Sequence, residues 1–324
     1  MQWFRTLTGL TSDDPATGAA TGRAGVVVEG DTLVMPNGRR LVAGQLEIPA
    51  LAELAPPPQG PARLKLREVV ADVQALHADP GNANAVFQVA SQFNLLEMVG
   101  PDVTPEQGIA RYSHDRTQGP ACAMACAAGT IWRNYLVPLG DQVGQTAPRQ
   151  IATLADLGAA LGNTGEKLWR MRNGYALPQK GGLSRVAKAI AAGDAQVLKD
   201  LVRIGVQHGT QVTLGDTSHL VTQVYASALP IAYAPAPLAE WQAIARLVLQ
   251  AAYEATLAVA MRNAATTGMN RLFLTRLGGG AFGNPPDWIT DAISKAVTKF
   301  SACDLDVVLV SYGQPDPANR ALLA

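Results

Sequence analysis

Cysteine is scarce in this sequence, net charge is absent, and long apolar runs are missing. Three cysteines in 324 residues leave no room for a disulfide framework. Cys122 and Cys126, in ACAMACAAGT, stand at helical spacing, but no second Cys or His pair completes a zinc set. They read as packing thiols in a reducing compartment. Twenty-six Lys and Arg balance 26 Asp and Glu, so no global field draws the chain to nucleic acid or an anionic membrane. Any anion must be held by local chemistry. No stretch approaches the roughly 18 apolar residues of a membrane span. The N-terminal MQWFRTLTGL lacks the basic region, apolar run and cleavage site of a signal peptide. The expectation is a cytoplasmic protein that needs no metal and no cofactor.

What is present is a series of strand and helix signals. The length fits one large α/β domain with insertions, or two domains. Residues 11–24 (TSDDPATGAATGRA) are small and polar and predict a mobile loop. GVVVEGDTLVMPNGRRLVAGQLEI reads as one or two β-hairpins, its short β-branched runs broken by EGD and PNGR. APPPQGP at 55–61 reads as a stiff linker. Residues 85–93 predict a buried strand, and the small-residue run within 119–137 predicts a helix packed closely on a sheet. Residues 148–204 read as helical throughout. Strands are expected again at 210–214, 219–233, 271–275 and 306–312, with a long helix from about Leu238 to Asn263. Its buried face is marked by Trp241, Ile244, Val248, Ala252, Ala255 and Val259. Strands alternating with helices indicate an α/β sheet covered on its faces.

The stretch LTRLGGGAFGNPPDWI, residues 274–289, joins a strand to a helix through four glycines. Ligands of open α/β sheets bind at such a place. Asn284 is read as the N-cap of the following helix, with Pro285 as its first residue. Glycine lets backbone N–H groups approach a ligand without interference from Cβ, and amides converging at a helix start attract anions. A phosphate or pyrophosphate is the natural guest. No lysine follows the glycines, so this is not a Walker A loop. Gly278, Gly280 and Gly283 match GxGxxG, but a nicotinamide-cofactor fold needs more strands than the remaining residues supply.

RLFLTRLGGGAFGNPPDWITDAISKAV resembles the last strand–loop–helix of the macrodomain family, in which such a loop wraps the phosphates of ADP-ribose. The resemblance implies a three-layer α/β/α mixed sheet. It assigns Gly278, Gly279, Gly280, Ala281, Phe282, Gly283 and Asn284 to the ligand, with Tyr312 flanking a ribose or base. AVFQVASQFNLLEMVGP is similar to the earlier strand of macrodomains and of the related poly(ADP-ribose) glycohydrolases. That similarity places Asn94 at the distal ribose. The family's NAAN is here SQFN, and TQGPA stands in for its second glycine loop, so that Gln118 and Gly119 offer amide groups to ribose or phosphate. The implied organisation is a β-rich extension over 1–61, a core in two parts over 62–147 and 205–324, and a helical insertion over 148–204.

Cleavage of an ADP-ribosyl bond needs an activated water and a protonated leaving group, tasks that carboxylates perform in glycosidic chemistry. Glu97 and Asp115 are the acidic residues nearest the implied ribose wall and are the catalytic candidates. The expected partner is ADP-ribose or an ADP-ribosylated protein or nucleic acid. A non-catalytic reader of ADP-ribose, or another nucleotide-binding protein, is the alternative. LADLGAALGNTGEKLWRMRNGYALP also invites a helix-turn-helix reading, with Lys167, Arg170 and Arg172 on a DNA-reading helix. The neutral overall charge argues against it, and the insertion is expected to form a lid or side wall.

Overall fold

The computed structural model describes residues 2–10, 25–57 and 60–323. The expected loop at 11–24 and part of the 55–61 linker lie outside the described residues. In chain order the strands are β1 (Val27–Glu29), β2 (Thr32–Val34), β3 (Arg40–Val42), β4 (Gln45–Glu47), β5 (Lys65–Val70), β6 (Val86–Ala90), β7 (Pro138–Leu139), β8 (Gln142–Val143), β9 (Trp169–Arg172), β10 (Tyr175–Pro178), β11 (Gly205–Gln211), β12 (Leu220–Ala226), β13 (Arg271–Leu274) and β14 (Asp306–Ser311). Seven of them form one mixed sheet in the order β4-β11-β12-β6-β13-β14-β5. The five strands from β12 to β5 run parallel, and β11 is antiparallel to both its neighbours.

Strand β6 lies in the middle of the parallel block. Val86, Phe87, Gln88 and Val89 are all buried, as expected of a strand covered on both faces. On one face lies the helix Leu238–Thr267, against which Pro286–Lys299 and Gly182–Ala192 pack. All six residues of its predicted stripe are buried. By length and composition this helix would cross a membrane, contrary to the expectation from the sequence, but its most apolar window is 83% buried inside the fold. Burial of an apolar helix beneath a sheet accounts for the composition without a bilayer.

The other face carries Val73–Ala78, Gln118–Ala125 and Ala127–Ile131. Their small residues permit close approach: a Cβ on Gly129 would stand 2.9 Å from Gln207 Cγ and Thr210 Oγ1. Cys122 and Cys126 are buried here as free thiols. The expected three-layer α/β/α arrangement is therefore present. The N-terminal hairpins are found as the three-stranded β1-β2-β3 sheet, but β4 leaves it to become an edge of the main sheet.

The segment 148–204 is not helical throughout. Helices span Ala155–Leu161, Gly182–Ala192 and Ala195–Asp200, but β9 and β10 form an antiparallel hairpin where the basic helix was expected. The reason is the turn. Arg172 pairs with Tyr175, and Asn173 and Gly174 between them have φ of 47° and 79°. Both central residues of a two-residue type I′ turn need positive φ, and Asn-Gly is its preferred pair. That local demand outweighs the helix-forming Leu, Arg and Met around it. The helix-turn-helix reading falls with this correction.

Candidate functional site

The C-terminal ends of β6, β12 and β13 open into a cleft of about 790 Å³. Its walls come from three loops and one hairpin. After β6 come Ser91, Gln92 and Glu97; after β12, Ala228 and Tyr233; after β13, Thr275 to Gly278 and Gly280 to Phe282; and Tyr175 reaches in from β10. The stretch His114–Pro120, which opens the helix Gln118–Ala125, forms the remaining wall.

The glycine loop is held from behind. Tyr253, on the long helix, donates its hydroxyl to Thr275 O at 2.8 Å and accepts from Leu277 N at 2.9 Å. Gly278 has φ of 72°, and a Cβ there would stand 2.4 Å from Ala228 Cβ and 2.5 Å from Asn284 Nδ2. Only glycine fits both the backbone and the space. The loop's internal hydrogen bonds use the amides of Leu277, Gly279, Gly283 and Asn284. Those of Gly280, Ala281 and Phe282 take no part in this set, and all three residues line the cleft. Around Gly280 nothing lies within 4 Å of an added Cβ. The Arg276 guanidinium is directed elsewhere, to Asn319, Pro286 O, Thr290 and Asp316.

Two asparagines expected at the ligand prove to be internal braces. Asn284 is 2% exposed; it donates from Nδ2 to Leu229 O at 2.9 Å and to Gly278 O at 3.3 Å. It is not the N-cap either, since Pro285 holds that position and the helix starts at Pro286. Asn94 is wholly buried, bonded to Gln150 and accepting from Leu96 N. It brackets a bend in which Leu95 adopts φ of 63°, a strained conformation for a non-glycine residue. Neither asparagine lines the cleft. Gly279 and Gly283 also lie off its wall; a Cβ on Gly279 would face Ile289 Cδ1 at 3.2 Å. Tyr312 is 82% exposed and stands apart from the cleft.

The bend at Leu95 delivers Glu97 to the cleft floor. Its carboxylate oxygens are covered and, among the described residues, accept no hydrogen bond of ordinary geometry; the Tyr112 hydroxyl lies close by, accepting from Glu97 N at 2.9 Å. Arg133 Nη2 lies 3.7 Å from Oε1. The Arg133 guanidinium is itself wholly buried, donating to Leu95 O and Thr130 Oγ1 and stacked 3.5 Å from the centre of the Tyr225 ring. Burial pushes the Glu97 carboxyl up to about 8, against the opposing pull of Arg133 and the Tyr112 hydroxyl. Burial disfavours the ionised form of an acid, and a nearby cation only partly offsets it.

Above Glu97 sits Gly119. A Cβ there would meet Ala90 O at 2.0 Å and Glu97 Cγ at 3.1 Å, so glycine is what lets this helix start rest on the strand end. The Gln118 side chain is engaged, accepting from Ala90 N and donating to Gln88 O. It extends the hydrogen bonding of β6 and leaves only main-chain amides for a ligand. First-turn amides have no acceptor within their own helix. Asp115 Oδ1 accepts from both the N and Oγ1 of Thr117, so this carboxylate organises the turn while lining the cleft.

Sequence reasoning missed three contributors. Tyr175 and Tyr233 pack with Phe282 at ring-centroid separations of 5.0, 5.4 and 5.7 Å, and the Tyr175 hydroxyl donates to Met98 O at 2.7 Å. Arg133 is the third. The Asn-Gly pair was the available signal for Tyr175; nothing local marks Tyr233 or Arg133.

No family model matches the sequence, and no curated protein matches it. Among solved structures, the chain is similar to the poly(ADP-ribose) glycohydrolase of Thermomonospora curvata. Identity there is 15%, covering 95% of this chain and 97% of that one, with a TM-score of 0.46. It is also similar to the poly(ADP-ribose) glycohydrolase of Deinococcus radiodurans in complex with ADP-ribose, at 10% identity over 95% and 98% of the two chains and a TM-score of 0.43. Identity this low says nothing about the side chains of a cleft.

Proposed function

We propose that the cleft binds an ADP-ribosyl group and that the protein hydrolyses its linkage to a macromolecule. The observation that carries this reading is one cleft containing both a bare anion-binding loop and a buried acid. Amides of Gly280, Ala281 and Phe282 supply donors for a pyrophosphate without any basic side chain. The aromatic cluster Tyr175, Tyr233 and Phe282 offers flat surfaces to a base or ribose. A volume of about 790 Å³ suits a ligand of this size. The solved structures of similar overall shape include proteins named as poly(ADP-ribose) glycohydrolases, one of them bound to ADP-ribose; the reading rests on the residues of this chain.

In this mechanism Glu97 is the proton donor. Its folded value stands above the ordinary 4.5, so the acid form prevails at neutral pH and can protonate a departing group. Asp115, which lines the same cleft, orients the attacking water through Oδ2, the oxygen that its hydrogen bonds to Thr117 leave unused. The pH dependence has a definite sign. Activity that needs protonated Glu97 is lost as pH rises through about 8. The same shift makes the folded chain hold this proton more tightly than the unfolded chain, so Glu97 erodes stability as pH climbs from about 4.5 to about 8.

Release of free ADP-ribose from an ADP-ribosylated substrate tests the proposal. The expected result is turnover with an alkaline limb near pH 8; binding without any release favours the second reading, a reader of ADP-ribose. The observation favouring that reading is the covering of both Glu97 oxygens.

A further inference from the structure

The chain is neutral overall, yet its cations are unevenly placed. Lys167, Arg170, Arg172, Lys180, Arg185 and Lys188 fall within 22 residues that contain no Asp or Glu, and all six are exposed. Arg172 pairs with Asp102. Among the described residues the other five make no ion pair. The carboxylate preceding the stretch, Glu166, accepts from Met171 N.

The hairpin sets the direction of two of these cations, Arg170 and Arg172. Residues directly opposite in an antiparallel pair share a face. Arg172 is opposite Tyr175, and Arg170 is opposite Leu177. Arg170 and Arg172 therefore project from the face that carries Tyr175 into the cleft. Trp169 and Met171, on the other face, pack into the main core. Arg116, exposed and lining the cleft, adds a further cation at its rim.

We infer that this ribbon is a docking track for a nucleic-acid strand, and that the group entering the cleft is carried on that strand. The inference rests on the proposed ADP-ribosyl reading for what enters the cleft, but the track itself is independent of it. Arg170 and the ion-paired Arg172 alternate along β9, and the unpaired Lys167, Lys180, Arg185 and Lys188 flank the hairpin; together they supply the positive charge that a phosphodiester backbone attracts. An unpaired strand can present a modified base to a pocket without the cost of opening a duplex.

The test uses the full chain and an unmodified single-stranded 20-mer, followed by fluorescence anisotropy at several salt concentrations. Each phosphate contact contributes about −0.7 to the slope of log K against log salt for single strands. Wild type is expected to bind with a slope of about −2 to −4. Lys167→Glu with Arg170→Glu should weaken binding at least tenfold and flatten the slope by about 1.4, with affinity for free ADP-ribose unchanged by calorimetry. No oligonucleotide binding by wild type, or equal binding by the double variant, overturns the inference. So does equal displacement by poly-glutamate at matched charge, which would assign the face to acidic proteins. Loss of ADP-ribose binding with the oligonucleotide retained would sink the proposed function and leave the track standing.

Discussion

Gly280→Glu is expected to abolish ADP-ribose binding and to leave the fold intact. The position lines the cleft, and nothing lies within 4 Å of a Cβ built there. Its φ is not in the left-handed region, so a side chain enters without backbone strain. The substitution therefore belongs among surface changes, within about 0.5 kcal/mol of wild-type stability. Its carboxylate would occupy the space where the pyrophosphate approaches the amides of Gly280, Ala281 and Phe282. Two charges about 4 Å apart repel by about 4 kcal/mol near a protein surface. Affinity should fall at least 100-fold, equivalent to about 2.8 kcal/mol, in a calorimetric titration. The neighbouring Gly279 is a poorer place for this test, because its Cβ would press on Ile289 of the following helix. Wild-type affinity in Gly280→Glu would remove the loop from the binding site.

Glu97→Gln is expected to stop hydrolysis while preserving both fold and binding. At neutral pH a carboxyl raised to about 8 is mainly in its acid form, and glutamine is close to that form in shape and charge. Stability near pH 7 should thus change little. A proton donor in the transition state contributes about 10²- to 10⁴-fold in rate, and that factor should disappear from the release assay. An ionised Glu97 that served only to neutralise Arg133 behaves differently. Removing one member of a buried ion pair strands the other and costs about 3–5 kcal/mol. Arginine cannot shed its charge to escape that penalty. A large fall in melting temperature with the rate per folded molecule unchanged would refute the catalytic role.

Parts of this site were legible in the sequence because they are local. Four glycines between an apolar strand and an amphipathic helix announce a bare loop; of the stripe its spacing implies, Trp288, Ile289, Ala292, Ile293, Ala296 and Phe300 are buried and Val297 is half-buried against the core. The face of the long helix was legible for the same reason. Side-chain direction was not. Asn94 and Asn284 sit at suitable places along the chain, but each turns inward to hold a bend. Sequence position says which residues border a pocket and not which way they leave the backbone. Long-range pairings were also hidden. Strand β4 joins β11 across some 160 residues of chain, bridged by contacts such as Val206 with Glu47. Arg133 meets Glu97 from the far end of a helical run. The hairpin that supplies Tyr175 carried a readable Asn-Gly signal, which helix-forming neighbours obscured.

The position of the diphosphate in a crystal of the ADP-ribose complex tests the central claim most directly. The account predicts its oxygens within hydrogen-bonding distance of the Gly280, Ala281 and Phe282 amides, with the distal ribose toward Glu97. A nucleotide bound elsewhere, or a cleft left empty at saturating ADP-ribose, would contradict it.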